Sequence, residues 1–231
     1  MLFNRKSHPY TTAVIAAAGS SRRFGEDKLE LLLCGESVLF RTLSVFEESF
    51  LIDEIIISTR EEKIADLYSR VREYGFKKIK ALVPGGETRQ MSVKNAVCAA
   101  SGETELFCMH DAARPLVTSD VIERVLSACA ECGCATAAVP VKNTIKAADK
   151  NGFVTATPDR NTLWEVQTPQ CFKADVYKAA IESATADCTD DCQLVEAVGG
   201  RVKLVMGDYK NIKITTPEDI LAAEIFFETG K

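Results

Sequence analysis

Apolar residues along the chain fall into short continuous runs separated by longer stretches of mixed character. Residues 12–18, 54–59, 79–83, 106–110 and 135–139 are rich in small and β-branched apolar side chains, and they predict buried strands. Between them, residues 38–49, 61–74, 90–101 and 119–132 carry the helical pattern. Gly75 is placed to end the second of these helices, and Ser119 to cap the fourth. Short apolar strands alternating with helices predict an α/β fold: a mainly parallel, twisted sheet with helices on both faces.

The rhythm breaks after Val139. Two extended stretches, 143–148 and 152–157, flank Asp149-Lys150-Asn151-Gly152, and Asn-Gly between extended runs is a strong hairpin signal. These stretches hold few large apolar side chains, and an isolated hairpin is marginal in water. Residues 142–160 are therefore read as a protruding β-arm that leans on a second subunit, predicting a homodimer. Near the end of the chain, Thr216 is placed to cap a last helix with Pro217 at its first position. Residues 1–231 read as a single domain.

Composition narrows the class. With 231 residues, 46% of them hydrophobic, the chain can bury one large core. The formal net charge of −5 argues against nucleic-acid binding. No apolar segment approaches the roughly 20 residues of a membrane span. Residues 1–10 lack the apolar core and small-residue cleavage site of a secretory signal. A cytoplasmic enzyme is the expectation. The nine cysteines are odd in number and irregularly spaced, which suits reduced thiols better than a disulfide framework. Cys129, Cys132 and Cys134 form the tightest cluster and are read as buried or half-buried thiols behaving as small hydrophobes rather than as a zinc site.

Candidate chemistry lies just after predicted strands, where open α/β sheets bind ligands. The first strand ends in Ala16-Ala17-Ala18-Gly19, and Arg22, Arg23 and Lys28 follow. Small side chains let a flat group approach the backbone, and the glycine turn with its cations suits a polyphosphate. The loop is neither a Walker A motif nor a dinucleotide fingerprint, since the glycines that each requires are absent. A solvated basic turn is the plain alternative. Pro84-Gly85-Gly86-Glu87-Thr88-Arg89-Gln90-Met91-Ser92 follows the third strand, and His110-Asp111-Ala112-Ala113-Arg114-Pro115 the fourth. Taken singly, Asp111 could cap a turn, the glycine pair could bend the chain and Arg89 could be a surface residue. Three such loops at one sheet edge predict a site.

Several motifs occur together: Ala-Ala-Gly-x-x-x-Arg, Gly-Gly-x-x-Arg-x-x-Ser, His-Asp-Ala-Ala-Arg-Pro, Asp-Arg-Asn, Gln-Thr-Pro-Gln and Asn-Ile-Lys-Ile-Thr. In this order, from about Thr12 to Phe227, the chain resembles the 2-C-methyl-D-erythritol 4-phosphate cytidylyltransferase family. The ribitol 5-phosphate cytidylyltransferase group shares much of the scaffold and is the nearest competitor. A non-catalytic nucleotide-binding regulator is a third reading, and the retained Lys28, Lys213, Arg23, Asp111 and Arg160 count against it. The chain departs from the family pattern at Ala16 and Asp27, where proline is common, and at Asn143, where aspartate is usual; its first loop is also about two residues short.

The resemblance implies a Rossmann-like nucleotidyltransferase fold and a division of labour. Gly19, Arg23 and Lys28 would hold the CTP phosphates. Ala17 and Ala18 would lie beside the base, with Gly86, Glu87 and Ser92 at cytosine and ribose. Asp111 and Arg114 would face the sugar-alcohol phosphate and the reacting centre. Thr144 and Arg160 would hold the substrate phosphate, Arg160 from the partner subunit, and Thr168 falls on the substrate side. Lys213 would be the second lysine on the transferring phosphate. A Mg²⁺ ion, or another divalent cation, is the expected cofactor, with Asp111 as its candidate protein ligand.

Overall fold

A computed structural model of the protein describes residues 8–19, 27–184, 188 and 190–229. The chain runs through β1 (Thr11–Ala16), the short pair β2 (Leu32–Leu33) and β3 (Glu36–Ser37), and α1 (Val38–Glu48). Next come β4 (Glu54–Thr59), α2 (Ile64–Glu73), β5 (Ile79–Pro84), α3 (Arg89–Ala99), β6 (Leu106–Asp111), α4 (Ser119–Cys132) and β7 (Cys134–Pro140). The last third holds β8 (Ala147–Ala148), β9 (Val154–Ala156), β10 (Trp164–Lys173), α5 (Ala174–Ser183), α6 (Asp191–Ala197), β11 (Lys203–Met206) and α7 (Pro217–Glu228).

The main sheet has seven strands in the order β11-β7-β10-β6-β1-β4-β5. All neighbours are parallel except β10, which runs antiparallel to both β6 and β7. Side chains alternate across the strands, so each strand feeds two cores. Ala13, Ile15, Ile55, Ile57 and Cys108 pack with α1, α2 and α4 on one face. Val14, Ile56, Phe107, Met109 and Phe172 pack with α3, α5 and α6 on the other. Both faces are covered, which is why the central strands read as unbroken apolar runs.

Local chemistry sets the element ends. The α4 cap is Thr118, not Ser119: the Thr118 side chain accepts from the Val121 N–H, and Ser119 is the first helical residue. At α7, Asp219 reaches back to the backbone N–H groups of Thr215 and Thr216, and Pro217 occupies the first turn. The Asn-Gly turn closes with Gly152 at φ +85°. There β8 and β9 form a separate antiparallel pair, with every residue exposed.

Strand β10 has no counterpart in the predicted elements. Pro169 and three polar residues, Gln167, Thr168 and Gln170, interrupt its apolar character, and proline ordinarily argues against a central strand. The fold accommodates them in a register shift against β7 between Val166 and Gln170. All three polar residues are buried and hydrogen-bonded to neighbouring segments. Strand β11, which pairs with β7, and helices α5 and α6 likewise lie outside the predicted elements.

Candidate active site

A cavity of about 410 Å³ opens at the carboxyl edge of β1, β5 and β6. Its wall is formed by Ala16–Gly19, Lys28 and Leu29 after β1, by Gly86–Arg89 and Ser92 around the start of α3, and by Asp111, Ala113 and Lys213. The strand predicted through Ala18 ends at Ala16, and this early exit turns Ala17 to Gly19 toward the cavity. Ala17 still donates its N–H to Ser58 O at 2.7 Å, which ties the turn to β4.

The glycine loop before α3 is close-packed. Thr88 caps the helix, its side chain accepting from Met91 N–H. The Ser92 hydroxyl accepts from Gly86 N–H at 3.0 Å and donates to Thr88 O at 2.9 Å. A Cβ on Gly85 would overlap the Ala18 side chain, so this glycine is required by close approach of the two loops. The N-terminal end of α3 adds its partial positive charge to this wall.

Asp111 ends β6 and is almost buried. Lys213 Nζ lies 2.8 Å from its Oδ2, Arg114 Nε 3.7 Å from the same oxygen, and Arg89 Nε 3.7 Å from Oδ1. Burial by itself would raise the carboxyl pKa, but the cations of Lys213, Arg89 and Arg114 outweigh it and hold the group well below the usual carboxylate range. The side chain is therefore an ionised carboxylate at neutral pH. Arg89 is a persistent cation: burial opposes its charge, and Asp191 and Asp111 together reverse that effect.

Lys213 owes its position to contacts on either side of it. Asn211 Nδ2 donates to Thr168 O at 2.8 Å, and Ile214 N–H donates to Ala113 O at 2.8 Å. Ile214 is fully buried, and its carbonyl accepts from Lys28 Nζ at 2.8 Å. The two lysines, from opposite ends of the chain, thus meet at one wall.

A polar layer underlies Asp111. Its N–H donates to Thr168 Oγ1 at 3.1 Å, and that hydroxyl lies 3.0 Å from His110 Nδ1. His110 Nε2 is 3.2 Å from Arg114 O. A carbonyl can only accept, so Nε2 carries the proton and Nδ1 accepts from the threonine. Burial is the main cause that pushes the His110 pKa down to about 3, which keeps the ring neutral.

Of the residues singled out from the sequence, Ala17, Ala18, Gly19, Lys28, Gly86, Glu87, Ser92, Asp111 and Lys213 line this cavity. Arg114 and Thr168 lie beneath it, Arg114 donating from Nη1 to Asn211 O at 2.8 Å. Thr144 and Arg160 are exposed and are not among the residues that line the cavity, with Arg160 Nη1 donating to Lys142 O. Arg23 lies outside the described residues. Asp27, one of the positions at which the sequence departs from the pattern it resembles, pairs with Arg60 and sits 3.7 Å from Lys63 Nζ. Ion pairs to the next loop thus hold a position that a proline would restrict through φ.

Arg89 also lines the cavity, and Asp191 is hydrogen-bonded to it. Arg89 was legible as the arginine of Gly-Gly-x-x-Arg-x-x-Ser but could equally have been a surface residue. Nothing near Asp191 in the sequence connects it to the other loops.

A family model described as 2-C-methyl-D-erythritol 4-phosphate cytidylyltransferase matches residues 11–229. The chain belongs to this family. A relative of that name from Geobacter metallireducens is 44% identical over 225 residues, covering 94% of this chain and 97% of its own length. Another, from Dehalococcoides mccartyi, is 45% identical over 220 residues, covering 95% and 96%. Among solved structures, 4-diphosphocytidyl-2C-methyl-D-erythritol synthase from Anaerococcus prevotii superimposes with a TM-score of 0.85 at 32% identity, covering 95% of this chain and 98% of that one. The α/β fold with its mostly parallel sheet is the fold of these cytidylyltransferases. Among the described residues, no helix is long and apolar enough to cross a membrane.

Proposed function

We propose that this chain joins CTP and 2-C-methyl-D-erythritol 4-phosphate to give 4-diphosphocytidyl-2-C-methyl-D-erythritol and pyrophosphate, a step of non-mevalonate isoprenoid biosynthesis. The observation that carries this reading is the meeting of Lys28 and Lys213 at a cavity that also holds the Gly86–Ser92 loop and Asp111. Family membership over nearly the whole chain supports it.

The reaction forms one O–P bond and breaks another. An oxygen of the sugar-alcohol phosphate attacks the α-phosphorus of CTP, and the bond from that phosphorus to the β-phosphate oxygen breaks. The second pKa of a phosphomonoester is about 6, so the nucleophile is largely dianionic at neutral pH and needs no protein base. The residues' work is electrostatic: they bring two anions together in line and stabilise charge on the transferring and leaving groups. Lys28 and Lys213 suit this task, with Arg23 assigned to it by the family pattern. Ala17, Ala18 and Gly19 leave room for the base and phosphates, while Gly86, Glu87 and Ser92 form the opposite wall at cytosine and ribose.

Magnesium would find one carboxylate at this cavity, paired with Lys213 through Oδ2 and facing Arg89 through Oδ1. Asp111 supplies one ionised oxygen donor, and its Oδ1 lies 3.7 Å from Arg89, longer than a hydrogen bond. The described residues contain no group of three or more metal-ligating side chains. Mg²⁺ commonly takes one or two carboxylates, with water and phosphate oxygens completing its shell. Asp111 is the residue that would hold it, and the ion would neutralise phosphate charge.

Thr144 and Arg160 belong to the substrate-phosphate subsite of a homodimer in which the 142–160 arm reaches the neighbouring subunit. Exposed Phe153 and Val154 on the hairpin, at 72% and 59%, support this arrangement. A cytoplasmic location goes with the soluble substrates. The deciding assay is pyrophosphate release from CTP with 2-C-methyl-D-erythritol 4-phosphate and, separately, with ribitol 5-phosphate. Faster turnover on ribitol 5-phosphate would overturn the substrate assignment, and nucleotide binding without turnover on either would favour a regulator. A monomer mass by gel filtration at micromolar protein would count against the shared arm.

A further inference from the structure

Behind the cavity lies a buried carboxylate to which the transfer reaction assigns no task. Asp191, the first residue of α6, is 1% exposed. Its Oδ2 accepts from Arg89 Nη2 at 2.6 Å, and its Oδ1 accepts from the Tyr177 hydroxyl at 2.6 Å. Its backbone N–H donates to Gln170 Oε1 at 3.1 Å. The carboxylate is thus held from α3 and α5, and its backbone from β10.

The chain of charges continues past Arg89. Arg89 Nε faces Asp111 Oδ1 at 3.7 Å, and Asp111 Oδ2 faces Lys213 Nζ at 2.8 Å. Acid and base alternate from α6, behind the wall, to the lysine in the cavity. A buried carboxylate is costly unless paired, and a purely structural pair would be complete with Asp191 and Arg89 alone. Here the arginine also faces a second carboxylate at the ligand cavity. The planar guanidinium is rigid, so clamping one edge at Asp191 sets the direction in which Nε points.

We propose that Asp191 is a positioning residue for the transfer reaction: it clamps Arg89 against Asp111, and through Asp111 it keeps the Lys213 ammonium where the phosphates react. This rests on the cytidylyl-transfer reading above. Asp191 touches no ligand in this scheme. Its influence passes through Arg89, and that is the testable content.

The test is a double-mutant cycle on pyrophosphate release using full-length wild type, Asp191→Asn, Asp191→Glu, Arg89→Met and the Asp191→Asn/Arg89→Met pair. Asp191→Asn keeps the shape and is expected to lower kcat about 10- to 100-fold, the scale of a misplaced catalytic group. The CTP KM should move less than about threefold, because binding is spread over several loops. Asp191→Glu should recover most of the loss. In the Arg89→Met background, Asp191→Asn should cost less than about twofold more, since its route to the site is already cut. An equal loss in both backgrounds, or normal kcat in Asp191→Asn, would overturn the proposal. Should Asp191→Asn fail to fold by near-UV circular dichroism, Tyr177→Phe takes its place in the same two backgrounds with the same criteria. Absence of turnover in the wild type would instead sink the cytidylyl-transfer reading, so the two failures are distinguishable.

Discussion

His110 makes acid sensitivity measurable at a single group. The ring is fully buried, stacks obliquely on Phe46 with centroids 4.8 Å apart, and is hydrogen-bonded at both nitrogens in its neutral form. Burial is the main cause that lowers its pKa to about 3, whereas an unfolded histidine titrates at about 6.5. Below about pH 6.5 the unfolded chain binds a proton that the folded protein refuses. Stability from this group is therefore fully present above that pH and falls as pH drops toward 3, by at most about 1.4 kcal/mol per pH unit. Between about pH 6 and pH 4.5 the loss amounts to about 2 kcal/mol. This window lies above the range in which Asp111, whose pKa is depressed, begins to contribute in the same direction.

Substituting His110→Gln removes the titration while keeping an amide able to donate to Arg114 O. The variant should be less stable at neutral pH by about 1–3 kcal/mol, from the disturbed hydrogen bonds. Urea unfolding with a metal chelator present, at both pH values, gives the comparison. Wild type should lose about 2 kcal/mol more than the variant on acidification. Equal losses in the two proteins would refute the assignment of a buried neutral ring.

Lys213→Ala should fold normally, because Arg89 and Arg114 still face Asp111, yet lose about 100- to 1,000-fold in kcat by pyrophosphate release; near-normal turnover would exclude Lys213 from the chemistry. Gly85→Ala forces a Cβ against Ala18, with the Ser92 hydroxyl 3.1 Å away. Its CTP KM should rise about tenfold, the scale of a modest overpacking strain, and an unchanged KM would show that the two loops separate freely. Arg160→Gln should lower kcat/KM for the sugar phosphate about 10- to 100-fold, as expected for a lost charge-assisted bond, with the CTP KM unmoved. An unchanged sugar-phosphate KM would remove Arg160 from the subsite.

Strands β1, β4, β6 and β7 were legible because each is a short, doubly buried run whose identity depends on its own residues, and β5, the half-exposed edge strand, because its residues are mostly apolar. The loops after β1, β5 and β6 followed from the rule that places ligands at strand carboxyl ends. Strand β10 was not legible, since Pro169 and its buried polar neighbours look like a loop until Asn211, Asp190 and Asp191 arrive to satisfy them. The helix cap at Thr118 rather than Ser119 is a choice between adjacent residues of similar chemistry, and backbone geometry settles it.

Local pattern thus carried the strand and helix alternation, the cavity-lining glycine and alanine positions and Lys28, while Lys213 came from the family resemblance. Arg89 belongs to a different order of information. Its own segment allows a solvated surface residue, and its placement between Asp191 and Asp111 exists because α6 packs against α5 beside the end of β6. Charge pairing acts through a few ångströms of space, whereas these residues are separated by tens of positions along the chain. The energy that orients them comes from burial that no single segment can provide.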